Sequence, residues 1–174
     1  CRKYYPEFRV SINLSYVQIL KSPLMMELKQ MIECSGISCS GIIVELTESG
    51  YLEGTPAVRS VWNDMKQLRI QIALDDFGTG YSNLMNISNL EPDIVKLDRG
   101  FTLKALSRSY EYQLMQYVIE MVHKLNQYVC VEGVETKEDL EKIKALGPDL
   151  IQGYYYSKPC SRDEFLKKFF GHSE

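Results

Sequence analysis

The chain has 174 residues, 45% hydrophobic and 25% charged, which excludes a disordered chain, a coiled coil or a collagen and allows one domain with a sizeable core. Twenty Lys and Arg against 23 Asp and Glu leave a net charge of −3, which argues against a general binder of nucleic-acid polymers. No apolar run approaches the roughly 20 residues of a membrane span, and the opening segment CRKYYPEFRV has no signal-peptide core.

Six apolar, β-branched runs follow one another along the chain: residues 8–15, 42–48, 70–76, 93–98, 128–135 and 150–157. Several are nearly continuous, as expected of strands buried on both faces of a parallel sheet. Helical spacing fills the gaps. Leu24, Leu28, Met31 and Ile32 form one predicted stripe, Val58, Val61, Trp62 and Met65 a second, and Leu114, Tyr117, Val118, Met121, Val122 and Leu125 a third. Ser22-Pro23 is read as opening the first helix. Thr136 to Asp139 reads as a capping box, and Ser161 as the cap of the last helix. Gly36 and Gly147 stand where helices should stop. The crossover at residues 81–92 is weaker and partly irregular.

Strands alternating with helices mean a parallel α/β fold. An open doubly wound sheet would favour a glycine-rich phosphate loop after the first strand, and FRVSINLSYVQ has no glycine. A (β/α) barrel instead gathers functional side chains at the C-terminal ends of its strands. Those ends carry Asn13, Glu45 and Glu48, Asp75 and Asp76, Lys96 and Asp98, Glu132 and Glu135, and Gln152. Any one of them alone is more often a helix cap or a loop hydrogen-bonder. Glu45, Lys96 and Glu132, however, interrupt apolar runs, and a buried carboxylate needs a cation or strong donors. Carboxylates converging on one mouth repel unless cations intervene. An all-oxygen set favours Mg²⁺, Mn²⁺ or Ca²⁺ over zinc. The five cysteines follow no disulfide or zinc framework, which points to a reduced, cytoplasmic protein. The first residue is Cys, so a piece of a longer chain is expected.

The motifs INLS (12–15), ELTES (45–49), DDFGTGYSNL (75–84), VKLD (95–98), VEGVET (131–136) and QGYYYSKP (152–159) resemble, in order, those of the EAL-domain cyclic-di-GMP phosphodiesterases of bacteria. The resemblance implies a TIM-like barrel and metal-dependent hydrolysis of one phosphodiester of cyclic di-GMP to linear pGpG. It implies Asn13, Glu45, Asp75, Asp76 and Glu132 as metal-site residues for Mg²⁺ or Mn²⁺, with Ca²⁺ inhibitory. Lys96, Glu132 and Asp76 would be catalytic, Lys96 positioning or activating the attacking water. Gln152, Glu135 and Asp98 would support substrate binding. Gly78, Thr79 and Gly80 would lie in the loop that couples metal, substrate and dimerisation, held by Glu48, with Asn83 replacing a more usual Ser. Tyr81 and Tyr154 could stack on guanine or simply pack.

The Glu-Ala-Leu motif itself does not occur in the chain. The expected reading is therefore a single EAL-type domain over residues 1–174, with about six of eight βα units and without its N-terminal portion. Such a piece would be weak or inactive alone. It would associate as a homodimer through exposed barrel edges, and a sensor or GGDEF-type domain would lie upstream in the parent. The alternative is a non-catalytic cyclic-di-GMP receptor or dimerisation module.

Overall fold

The computed structural model describes residues 5–21, 23–36, 38–47, 56–79, 87 and 90–171. Among the described residues six strands form one all-parallel sheet in sequence order: β1 Val10–Leu14, β2 Ile42–Thr47, β3 Gln71–Phe77, β4 Ile94–Leu97, β5 Tyr128–Glu132 and β6 Leu150–Gln152. Five of the six predicted runs contain their strand, and β3 extends one residue past its run, to Phe77. The last strand is shorter than its run, because Gly153 to Tyr156 turns away from the sheet. The described helices are α1 Tyr16–Lys21, α2 Leu24–Ser35, α3 Pro56–Gln67, α4 Arg99–Ser107, α5 Ser109–Lys124, α6 Lys137–Lys144 and α7 Arg162–Phe170. None is long and apolar enough to cross a membrane.

The sheet is curled, and one geometric fact shows it. Glu45 on β2 and Glu132 on β5 both reach the Lys96 ammonium at 2.7 Å. Strands three apart in a flat sheet would be separated by about 14 Å. The result is an incomplete TIM-like barrel, with β1 and β6 at the two edges.

Alternation of side chains along each strand sorts the sequence into two faces. Outward, Val44, Leu46, Ile72, Leu74, Val95, Leu97, Val129 and Val131 are buried under the helices with Val58, Trp62, Met65, Met115, Ile119, Val122, Leu140 and Ile143. Inward, Ile43, Ala73, Ile94 and Cys130 make a small apolar cluster. Two residues further along the same four strands come Glu45, Asp75, Lys96 and Glu132. The lumen therefore has an apolar floor and a charged mouth.

The capping signals behave as read. Thr136 and Asp139 form a full capping box, Ser161 and Glu164 another, and Gly36 closes α2 in the left-handed conformation. Three readings need correction. The first helix is Tyr16–Lys21, with Pro23 opening the second. Met31 is exposed, while Leu28 and Ile32 carry the contact of α2. On α5 the buried stripe is Met115, Ile119 and Val122, whereas Leu114, Tyr117 and Leu125 face outward. That helix is apolar on much of its circumference, so spacing alone does not choose the inward face.

Candidate functional site

Lys96 is 4% exposed at the end of β4. Its ammonium lies 2.7 Å from Glu45 Oε2, 3.0 Å from Asp75 Oδ1 and 2.7 Å from Glu132 Oε1. The contacts to Glu45 and Glu132 are hydrogen bonds donated by the ammonium, and the contact to Asp75 is an ion pair. Among the described residues, no group of three or more Asp, Glu, His or Cys is arranged to hold a metal ion directly. The ammonium stands at the point where the three carboxylates converge.

The cluster has too many anions for its one cation. Burial alone would push the Lys96 ammonium toward losing its proton, but the hydrogen bonds it donates to Glu132 and Glu45 outweigh this and hold it above the ordinary lysine range. Glu132 shows the opposite deficit. Burial raises its affinity for a proton, and Asp75 and Glu45 add to that, against the pull of Lys96. Both shifts follow from three carboxylates sharing one ammonium, so Lys96 is firmly charged and Glu132 ionises reluctantly. The ion pairs engage Glu45 Oε2, Asp75 Oδ1 and Glu132 Oε1, so the second oxygen of each carboxylate stands outside the contacts with Lys96. Oxygen donors in excess of the available cations are a fit for hard divalent ions.

Asp75 and Asp76 both reach the mouth because β3 bulges there. Leu74 pairs with Val95 but Phe77 with Leu97, so β3 has one extra residue. Asp76 takes it up with φ +60°, a conformation that Asp tolerates better than most residues. Asp75 Oδ1 also accepts the Asp76 amide at 3.0 Å. Asp76 has a raised affinity for its proton, from burial first and then from Asp75 and Asp98.

This fixes a sign. The folded state holds that proton more tightly than the unfolded chain, so ionised Asp76 costs stability as pH rises above its ordinary value of 3.8. In chelator, Asp76→Asn should therefore be at least as stable as the unsubstituted protein at pH 7. The advantage should vanish below about pH 4. Urea midpoints at the two pH values check it, and a clear loss of stability at pH 7 would contradict it.

The remaining sequence candidates divide. Asn13 pairs in register with Glu45, and Gln152 with Glu132, so each sits beside a cluster carboxylate on the neighbouring strand. Asp98 caps α4, its Oδ1 accepting the Gly100 amide at 2.7 Å. Glu135 pairs with Arg99 at 2.8 Å, not with Lys96. Gly78 has φ +104° and packs on Phe101, and Thr79 is exposed. Glu48, Gly80, Tyr81 and Asn83 lie outside the described residues. Tyr154 is exposed, with Lys158 Nζ 5.6 Å from its ring centre. At the opposite end of the strands, His123 pairs with Asp149 at 2.9 Å. Sequence reasoning passed over Arg99, although it directly follows the VKLD motif.

A cavity of about 880 Å³ opens onto the lumen, lined among others by Glu45, Lys96, Gln152, Tyr154, Lys158 and Arg162. It is large enough for a nucleotide-sized ligand and combines acidic, basic and aromatic groups.

Comparison with known proteins gives a consistent result. Residues 2–159 match the family model of the EAL domain. The chain is 32% identical over 158 residues to the cyclic di-GMP phosphodiesterase PdeF of Escherichia coli, covering 91% of this chain and 21% of that protein. Its fold resembles the EAL enzyme Bd1971 in its cAMP and cyclic-di-GMP bound form, with TM-score 0.88 and 31% identity over 94% of this chain and 43% of that one. It also resembles Klebsiella pneumoniae BlrP1 in complex with manganese and cyclic di-GMP, with TM-score 0.83 and 25% identity over 91% of this chain and 41% of that one. The chain thus spans about a fifth of PdeF and under half of each of the two solved chains.

Proposed function

This chain belongs to the EAL domain family, and from that premise we propose that it carries the site for metal-dependent hydrolysis of cyclic di-GMP to linear pGpG. The observation that carries the proposal is the convergence of Glu45, Asp75 and Glu132 on Lys96, each carboxylate with an oxygen to spare. Those residues, with Asn13 and Asp76 beside them, would hold Mg²⁺ or Mn²⁺. Such a pair of cations, when bound, neutralises phosphate oxygens and makes water a competent nucleophile near neutral pH.

The chain's own groups do the rest. Lys96 acts as a fixed positive charge that spaces the carboxylates and, from the point where they converge, can position the attacking water. Asp76, at the rim, offers a carboxylate to the proton of an incoming water. Gln152, an amide next to Glu132, can hydrogen-bond water or phosphate. Tyr154 offers a ring face to guanine, and Lys158 a charge to the substrate's phosphates. The free thiols of Cys34, Cys39, Cys130 and Cys160 accord with a cytoplasmic setting.

Association belongs to the same reading. β1 and β6 each present an unpaired edge among the described strands, and Val10 and Ile12 on β1 are 46% and 38% exposed. Parallel pairing at those edges, with further βα segments or a second copy, would complete the barrel wall. The deciding experiment for function is product analysis: cyclic di-GMP incubated with the purified full-length protein that carries this domain and Mn²⁺ or Mg²⁺ should yield pGpG, and chelator should stop the reaction. Intact cyclic di-GMP under all conditions would refute the proposal.

A further inference from the structure

The geometry points to Arg99 as a positioning residue for the acidic cluster. From the first turn of α4 it holds the loop that follows Glu132 against the strand end that carries Asp75 and Asp76. The inference rests on the hydrolytic reading above and adds to it a residue outside the carboxylate–lysine set.

The start of α4 is fixed to β3. The Asp98 amide donates to Phe77 O at 3.0 Å, and the Asp98 side chain caps Gly100 N–H. Three residues from that cap, Phe101 packs against Gly78, where an added Cβ would lie 2.9 Å from Phe101 Cδ1. The first turn of α4 is thereby seated on the loop leaving the Asp75–Asp76 bulge.

The same turn is seated on β5 from its other side. Arg99 Nη2 and Nε both donate to Glu135 Oε1, at 2.8 and 3.2 Å. Gly133 has φ +80°, and a Cβ there would overlap Arg99 Cγ and come within 3.1 Å of Arg99 Cα. Residues 133–135 therefore lie flat on the Arg99 stem and are gripped at their far end by its guanidinium. The opposite side of that loop is held by β6: Val134 N–H donates to Gln152 O at 3.3 Å, and Tyr155 N–H donates to Val134 O at 3.0 Å. Glu132 is the residue immediately before this clamped segment, and its carboxylate must meet Lys96.

The Arg99 and Glu135 side chains are 57% and 39% exposed, and a pair so open to water adds little to stability. What it fixes is direction. A planar guanidinium holds a carboxylate in a defined orientation where an ammonium does not. Chemistry on a phosphodiester is sensitive to sub-ångström placement of its supporting groups. Arg99 thus links the β3 and β5 carboxylates through a path that bypasses Lys96.

The test is steady-state hydrolysis of cyclic di-GMP with Mn²⁺ by the full protein and three variants: Arg99→Gln, Arg99→Lys and the charge-reversed pair Arg99→Glu/Glu135→Arg. Arg99→Gln should lower kcat by about tenfold or more, as loss of groups that orient metal ligands does, with KM within about twofold and the melting temperature nearly unchanged. Arg99→Lys should recover part of the rate, and the reversed pair more than Arg99→Gln. Wild-type kcat in Arg99→Gln overturns the inference while leaving the hydrolytic reading intact. So does a loss that tracks melting temperature and is not recovered by the reversed pair, or failure of all three variants to fold, since Arg99 would then be structural. Absence of hydrolysis by the unsubstituted protein refutes the functional reading, and the inference falls with it.

Discussion

Lys96→Met should destabilise the metal-free protein by about 3–5 kcal/mol, the range for removing one partner from a buried ion pair. Domains are stable by only about 5–15 kcal/mol in total, so this is a large share. The physical reason is the imbalance already present. Glu45, Asp75 and Glu132 share one ammonium, and without it three partly buried carboxylates face one another uncompensated. They would take up protons or attract cations, and the second response makes the prediction specific. Added Mn²⁺ should stabilise the variant more than the unsubstituted protein, by about 2.7 kcal/mol when present at about a hundred times its dissociation constant. Urea denaturation in chelator and in Mn²⁺ measures both effects. Equal stability of the two proteins in chelator would show that the lysine clasp contributes nothing to the fold.

Glu45→Gln should lower the rate of pGpG formation by more than about a hundredfold, exceeding the tenfold to hundredfold typical of groups that only orient metal ligands. Glu45 is 7% exposed and stands between Asn13 on β1 and the Lys96 ammonium. The amide keeps the shape and a hydrogen-bonding oxygen but removes the charge that a divalent cation requires. Because a buried carboxylate is expensive to hold ionised, the substitution should leave folding largely intact. Rate and circular dichroism on the same preparation separate the two effects. Turnover within a few-fold of the unsubstituted protein would remove Glu45 from the metal site.

Much of this arrangement was legible in the sequence, because the lumen writes a period of two into each strand. Ile43 and Glu45, Ala73 and Asp75, Ile94 and Lys96, Cys130 and Glu132 repeat one step on four strands, and a charge inside an apolar run marks the mouth. What the sequence hid has physical causes. Asp75-Asp76 reads as an ordinary pair, and only the bulge, with Asp76 at φ +60°, shows how both carboxylates reach one rim. On α5, apolar residues on several faces compete, and the partner strands decide that Met115 is inside and Leu114 outside. Glu135 was read as a support of the site. Its partner Arg99, 36 residues away, was not foreseen, since an ion pair at that separation leaves no periodic trace. Gly78 was read only as part of the coupling loop and Gly133 was not singled out; both serve as close seats, for Phe101 and Arg99.

The claim beneath all of this is that Glu45, Asp75 and Glu132 keep an oxygen each for a divalent cation while Lys96 holds the other. Anomalous scattering from crystals of the protein grown with Mn²⁺ tests it most directly. The account predicts manganese peaks about 2.0–2.3 Å from oxygens of these carboxylates, the separation typical of hard divalent ions on oxygen, with Lys96 still paired to the cluster. Manganese bound elsewhere, with the three carboxylates still closed on Lys96 alone, would contradict it.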